Sequence, residues 1–145
     1  MWGFFAEPTA SPCMLMRLLG LPATASVYDL GLDNQTAADG LAVARASDFA
    51  FERVGAQVMG AYTVSDAQMF AWIAAADAEE GLRLEPSAAT GFSGALDGVW
   101  RHPAFGPLRA RLADATHVIW TTGGSRLPDA EFAALLARAE PPLTG

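Results

Sequence analysis

Short apolar runs alternate along this chain with stretches of helical period, and that alternation narrows the architecture more than any other feature. Trp2 to Ala6 reads as a short buried strand, broken by Glu7-Pro8-Thr9-Ala10-Ser11-Pro12. Cys13 to Leu19 is an apolar helical run that Gly20 stops. Ser26 to Leu30 has the composition of a second strand, and Asp33-Asn34-Gln35-Thr36 that of a polar turn. Asp48 to Met59 reads as a helix ending before Gly60, and Ala61 to Val64 as a strand. Ser65-Asp66-Ala67-Gln68 is a capping box that opens a helix with Met69, Trp72, Ile73 and Ala76 on one face and Gly81 at its end. Glu85-Pro86-Ser87 leads into a small-residue, partly helical stretch that Arg101-His102-Pro103 interrupts.

Thr116 to Thr121 is the clearest strand signal. Its centre, Val118-Ile119-Trp120, is continuously apolar, as in a strand covered on both faces. Thr122-Gly123-Gly124-Ser125 turns the chain. Pro128 then opens a helix with Phe132, Leu135, Leu136 and Ala139 in one stripe, ended by Pro141-Pro142. The sum is an α/β fold with a largely parallel sheet. Ligands in such sheets gather beyond the carboxyl ends of the strands. Glu7 to Pro12 and Thr122 to Ser125 both hold that position, so they are expected on one edge.

Composition excludes several functions. Apolar residues make up 52% of the 145 and charged ones 17%, which is core-forming rather than disordered. Mean hydropathy, +0.22, is high for a domain this small and suggests faces meant to be covered. Net charge is −7 with no basic run, which argues against nucleic acid or an anionic membrane as partner. One cysteine, Cys13, allows neither an internal disulfide nor a cysteine zinc cluster. Met1 to Ala6 is too short for a signal peptide or a span, so a cytoplasmic protein is expected. All nine basic residues are arginine, and lysine is absent.

Few patterns carry chemistry alone. A hydroxyl followed by two glycines, Thr121-Thr122-Gly123-Gly124, suits close approach of an anion or polar heterocycle, but also a plain turn. Glu7, followed by a proline-bounded loop, can aim carbonyls at a hard cation, but is also an ordinary carboxylate beside a turn. Glu85-Pro86 has the plainer reading of a helix entry, and Asp39-Gly40 that of a turn pair. His102 and His117 lack metal-ligand spacing, and Cys13 reads as a buried, inert thiol.

Several stretches in order resemble bacterial D-serine dehydratase: Phe4-Phe5-Ala6-Glu7-Pro8-Thr9 with Ser11-Pro12-Cys13-Met14; Asp29-Leu30-Gly31 with Asp33-Asn34; and Thr36-Ala37-Ala38-Asp39-Gly40-Leu41-Ala42-Val43. Further on come Tyr62-Thr63-Val64-Ser65-Asp66, Leu84-Glu85-Pro86-Ser87-Ala88, and Thr116-His117 with Trp120, Thr122, Gly123 and Gly124. The resemblance is to the C-terminal part of that family, within the fold-type-II pyridoxal-phosphate enzymes that also include threonine deaminase and serine racemase. It implies an ammonia-lyase reaction, D-serine to pyruvate and ammonia by β-elimination, with the cofactor held by a lysine as a Schiff base. It places Thr122 at the pyridine nitrogen, with Gly123, Gly124, Asp39, Gly40 and Glu85 around the cofactor. Glu7, with carbonyls at Ser11 and Cys13, falls at a cation site, expected to be monovalent.

The family's catalytic lysine and glycine-rich phosphate loop lie upstream of Phe4 and are absent, and Ser125 stands where a third glycine is usual. Residues 1–145 are therefore read as one partial domain of the lyase's large domain, a truncated or split dehydratase inactive by itself. Its expected partners are D-serine and an N-terminal lyase fragment. The alternatives are a fragment of an L-serine or L-threonine dehydratase, or a non-catalytic stabilising partner.

Overall fold

The computed structural model describes residues 2–95, 102–103, 106 and 109–139. Strands β1 (Gly3–Pro8) and β2 (Val58–Val64) pair in parallel, in register from Phe4 opposite Gly60 to Pro8 opposite Val64. Parallel pairing requires a long crossover. Here it contains α1 (Cys13–Leu18), α2 (Asp48–Val54) and three short 3-10 turns, Val27–Leu30, Asp39–Leu41 and Gly55–Gln57. After β2 come α3 (Asp66–Glu80), α4 (Pro86–Ala95), α5 (Arg109–Ala113) and α6 (Asp129–Leu136). The expected α/β class, parallel strands flanked by helices, is the one observed.

Local chemistry explains most boundaries. The Ser65 hydroxyl accepts the Gln68 amide at 3.3 Å, and the Ser65 amide donates to Gln68 Oε1 at 3.0 Å, so both ends of the capping box close. Gly81 ends α3 in the left-handed region, φ 64°, where a side chain is disfavoured. Pro86 occupies the first position of α4, and Pro128 caps α6 from just outside it.

Three expectations are corrected. Residues 26–30 are a 3-10 turn, Val27–Leu30, because the Asp29 carboxylate draws in both the amide and the hydroxyl of Ser26, at 2.7 and 3.0 Å. The helix from Asp48 ends at Val54 rather than Met59: a 3-10 turn follows, and Val58, Met59 and Gly60 belong to β2, where pairing with β1 overrides helical period. Thirdly, residues 116–121 join no sheet among the described residues. Val118 and Trp120 are 86% and 84% exposed, and only Ile119 turns inward, against Gly91 of α4. A strand needs a partner ladder, and the described residues offer this one only a helix. Pro141-Pro142 and Arg101 lie outside the described residues.

The largest core cluster joins Phe70, Ile73 and Ala76 of α3 to Leu84, to Ala88 and Ala89 of α4, and to Phe132 of α6. Trp72 Nε1 donates to Ser93 Oγ at 2.8 Å, satisfying two polar atoms within the α3–α4 contact. A smaller cluster of Cys13, Met16, Val27 and Ala46 packs the crossover, and Ala38, Val64 and Met69 form a third at the end of β2. No helix among the described residues is long and apolar enough to cross a membrane.

Candidate functional site at the carboxyl ends of the strands

Glu7 stands next to last in β1 and is buried. Its carboxylate turns onto the start of α1, where Oε1 accepts the Met14 amide at 2.7 Å and Oε2 the Leu15 amide at 2.8 Å. These are two of the amides a helix start leaves without internal partners. Burial raises the Glu7 carboxyl above its ordinary 4.5, against the lowering effect of the Met14 and Leu15 amides and the Cys13 thiol. Burial, and then the charge and hydrogen bond of Glu7, push the Cys13 thiol up to about 11. No ion pair among the described residues gives Glu7 a cationic partner.

Ser11 lies in the following loop, 1% exposed, its hydroxyl 2.7 Å from Asn34 Oδ1 and 3.1 Å from the Val43 carbonyl. Asn34, with φ 60°, in turn donates through Nδ2 to the Ala42 carbonyl at 3.2 Å. Residues 34–43 are thus tied at both ends to the loop after β1. Their middle is held by Asp66, the first residue of α3. It accepts the Thr36 hydroxyl at 2.6 Å and the Ala37 amide at 2.8 Å. This clamp sets the position of Asp39 and Gly40, which are exposed. The Gly40 amide donates to Asp39 Oδ1 at 2.7 Å, and a side chain at Gly40 would stand 3.1 Å from Ser87 Oγ.

The start of α4 gathers the remaining candidates. The Glu85 amide donates to the Gly123 carbonyl at 3.3 Å. A Cβ at Gly123 would overlap the Glu85 carboxyl group, and one at Gly124 the Leu84–Glu85 backbone. Gly124 also has φ 119°. The two glycines are therefore required by the close approach of two chain segments. Thr121 and Thr122 are exposed, and neither hydroxyl bonds to another group among the described residues.

The structure thus brings Glu85, Gly123 and Gly124 together and sets Gly40 beside Ser87, two residues further on. It keeps Glu7, Ser11 and Cys13 in a separate cluster. Among the described residues no hydrogen bond joins the two loops expected to share an edge; residues 34–43 lie between them. His117 Nε2 lies 2.9 Å from the Leu112 carbonyl, and among the described residues no three of His, Cys, Asp and Glu converge on a common point. Pattern reasoning passed over Asn34, Thr36 and Asp66, which hold the middle segment. Asp66 was visible only as part of a capping pattern, and its bonds to residues 29 and 30 positions away leave no local signature.

No family model matches the chain. Curated relatives do. It is 46% identical over 144 residues to a probable D-serine dehydratase of Sinorhizobium medicae, and 47% identical over 140 residues to the D-serine dehydratase of Serratia proteamaculans. It is 50% identical over 140 residues to a probable D-serine dehydratase of Burkholderia pseudomallei. These matches cover 93–94% of this chain but 31–32% of the relatives, so the chain spans about a third of their length. Among solved structures, a T.th. threonine deaminase superposes with a TM-score of 0.56 at 21% identity, over 70% of this chain and 35% of that one. That likeness shows the fold. Nearly the whole of this chain thus corresponds, with 46–50% of aligned residues identical, to one third of the D-serine dehydratase polypeptide.

Proposed function

We propose that this chain forms the part of a D-serine dehydratase that closes over one edge of pyridoxal phosphate, and that it acts only together with the rest of the lyase fold. The observation that carries this reading is 46–50% identity to these lyases across nearly the whole chain, in a sequence with no lysine. In the family reaction, D-serine to pyruvate and ammonia, bound pyridoxal phosphate supplies an electron sink for the β-elimination. The residues present fit one edge of that cofactor and not the whole. Thr122 offers a hydroxyl with no partner among the described residues, and Asp39-Gly40 and Glu85 flank the same loop cluster. Thr122 Oγ1 holds its own proton and would donate it in a hydrogen bond to the pyridine nitrogen, leaving that nitrogen largely unprotonated. Holding the cofactor's aldehyde and moving the substrate α-proton require an amine that can lose its charge. The nine arginines stay protonated at any working pH and cannot serve.

The reading extends to a monovalent cation at Glu7, with the Ser11 and Cys13 carbonyls. A buried carboxylate without a cationic partner among the described residues favours an ion beside it, and the Glu7 oxygens keep acceptor capacity beyond the two helix amides and the Cys13 thiol. A single carboxylate with loop carbonyls suits a hard, singly charged ion rather than a transition metal.

The test is direct. The purified 145-residue chain mixed with pyridoxal phosphate should show no visible absorption from covalently held cofactor and form no pyruvate from D-serine. Cofactor-dependent turnover that survives blocking of the N-terminal amine would overturn the proposal. In a full-length relative, Ala at the position of Thr122 should shift the cofactor spectrum and slow elimination, while Ala at that of Thr121 should do neither. The reverse result would refute the assignment of Thr122.

A further inference from the structure

Asp66 opens α3, yet α3 does not depend on its carboxylate. The helix start is closed by Ser65 and Gln68, each bonded to the backbone of the other. An acidic side chain in a first turn ordinarily serves the unpaired amides of its own helix. Asp66 instead turns both oxygens onto a segment 29 and 30 residues earlier, where Oδ1 accepts the Thr36 hydroxyl at 2.6 Å and Oδ2 the Ala37 amide at 2.8 Å. Among the described residues, the other hydrogen bonds of residues 36–41 stay within residues 36–43: Ala38 amide to Thr36 hydroxyl, Gly40 amide to Asp39 Oδ1, Leu41 amide to Ala38 carbonyl, Ala42 amide to Asp39 carbonyl and Val43 amide to Leu41 carbonyl. Asp66 is therefore the polar anchor of this turn. Its apolar anchor is the fully buried Ala38, packed on Val64 and Met69. At the far side Gly40 meets α4, where a Cβ would stand 3.1 Å from Ser87 Oγ, and that hydroxyl is buried without a hydrogen-bond partner. The contact with α4 thus has no hydrogen bond of its own, and the place of the turn against α4 is set from Asp66.

We propose that Asp66 is a positioning residue for the β-elimination: its carboxylate fixes residues 36–41 so that Asp39 and Gly40 stand against the start of α4, beside the cofactor edge. This rests on the function proposed above. A charged acceptor suits the task, because its two short bonds are stronger than neutral ones and meet two adjacent residues at once. Asparagine has one acceptor oxygen where aspartate has two, so Asp66→Asn leaves one of the two donors without its acceptor.

The experiment has two arms. In the full 145-residue chain, without cofactor, Asp66→Asn should speed hydrogen exchange at the amides of Ala37, Leu41 and Ala42 by about tenfold or more. The amides of the β1–β2 ladder should keep their rates. Ser65→Ala, which opens the helix cap but keeps the carboxylate, should release the first turn of α3 and leave residues 37–42 as they are. In the full-length Serratia relative, Asn at the position of Asp66 should lower kcat by about tenfold or more, while the visible band of bound cofactor keeps its place and strength. Exchange that rises throughout the chain, or chiefly in the first turn of α3, would overturn the proposal, since Asp66 would then hold the whole fold or its own helix. So would an unchanged kcat, or a fall in kcat matched by loss of bound cofactor. The exchange arm needs neither cofactor nor substrate. Pyruvate formation by the isolated chain would refute the function proposed above and leave the Asp66 clamp standing.

Discussion

Residues 2–6, most of which lie in β1, and residues 116–121 are both short apolar stretches that the sequence marks as strands leading into ligand loops, yet they end in opposite conditions. β1 pairs with β2 along its length, and its loop is closed by internal bonds from Glu7 and Ser11. Residues 116–121 pair with no strand among the described residues and carry Val118 and Trp120 into solvent. An apolar run thus records that a surface must be covered; whether the cover comes from the same chain is a separate fact. β1 finds its cover within the chain because the crossover brings β2 back beside it. For 116–121 the described residues supply only helices, α4 at Ile119 and α5 at His117.

The largest effect that could break this contrast is the loss of the Glu7 carboxylate. Glu7→Ala would strip two amides at the start of α1 of charge-assisted acceptors within a buried site. It should lower the stability of the chain by roughly 2–4 kcal/mol, measured by urea unfolding. A loss below about 0.5 kcal/mol, the usual scale for surface positions, would place Glu7 with the open region rather than the closed one.

A smaller effect concerns pH. Burial raises the Glu7 carboxyl above its ordinary 4.5. The folded state then binds the proton more readily than the unfolded one. The resulting contribution to stability is full below the unfolded value and is lost as pH rises through the folded one. Unfolding free energies taken in steps upward from about pH 4 should show this downward component in the natural chain and lack it in Glu7→Gln. Potassium should flatten it, since a cation favours the carboxylate. A slope identical in both proteins would mean that desolvation does not govern this group, and a slope indifferent to potassium would count against the ion.

What could be read beforehand divides along the same line. Caps, helix starts and stops are local, and Ser65-Gln68, Gly81, Pro86 and Pro128 were legible because their partners lie within a few residues. The candidate loops were legible as loops, and Glu85, Gly123 and Gly124 do converge. The reason for that convergence was not legible, since Gly123 and Gly124 answer to Leu84 and Glu85 about forty residues earlier. Val58 and Met59 were misread as helix because only β1, more than fifty residues away, makes them part of a strand. Ser26 to Leu30 failed differently: apolar composition outweighed a Ser-Asp pair whose local bonds bend the chain into a 3-10 turn.

The smallest expected effect is the sharpest probe of the open segment. If 116–121 were a strand buried in this chain, removing its large side chains would cost what core truncations cost, several kcal/mol. Val118 and Trp120 instead keep most of their surface in water, so little apolar area is lost from the folded state when they are cut back. Val118→Ser and Trp120→Ser should each change the stability of the isolated chain by less than about 0.5 kcal/mol, while improving its solubility by removing exposed apolar surface. Ile119→Ala supplies the internal contrast. Its side chain meets α4 at Gly91, so its loss should exceed that of either neighbour. Equal, large losses at all three positions would show that the segment is already covered on both faces. Equal, negligible losses would show that even the Ile119 contact holds nothing in place.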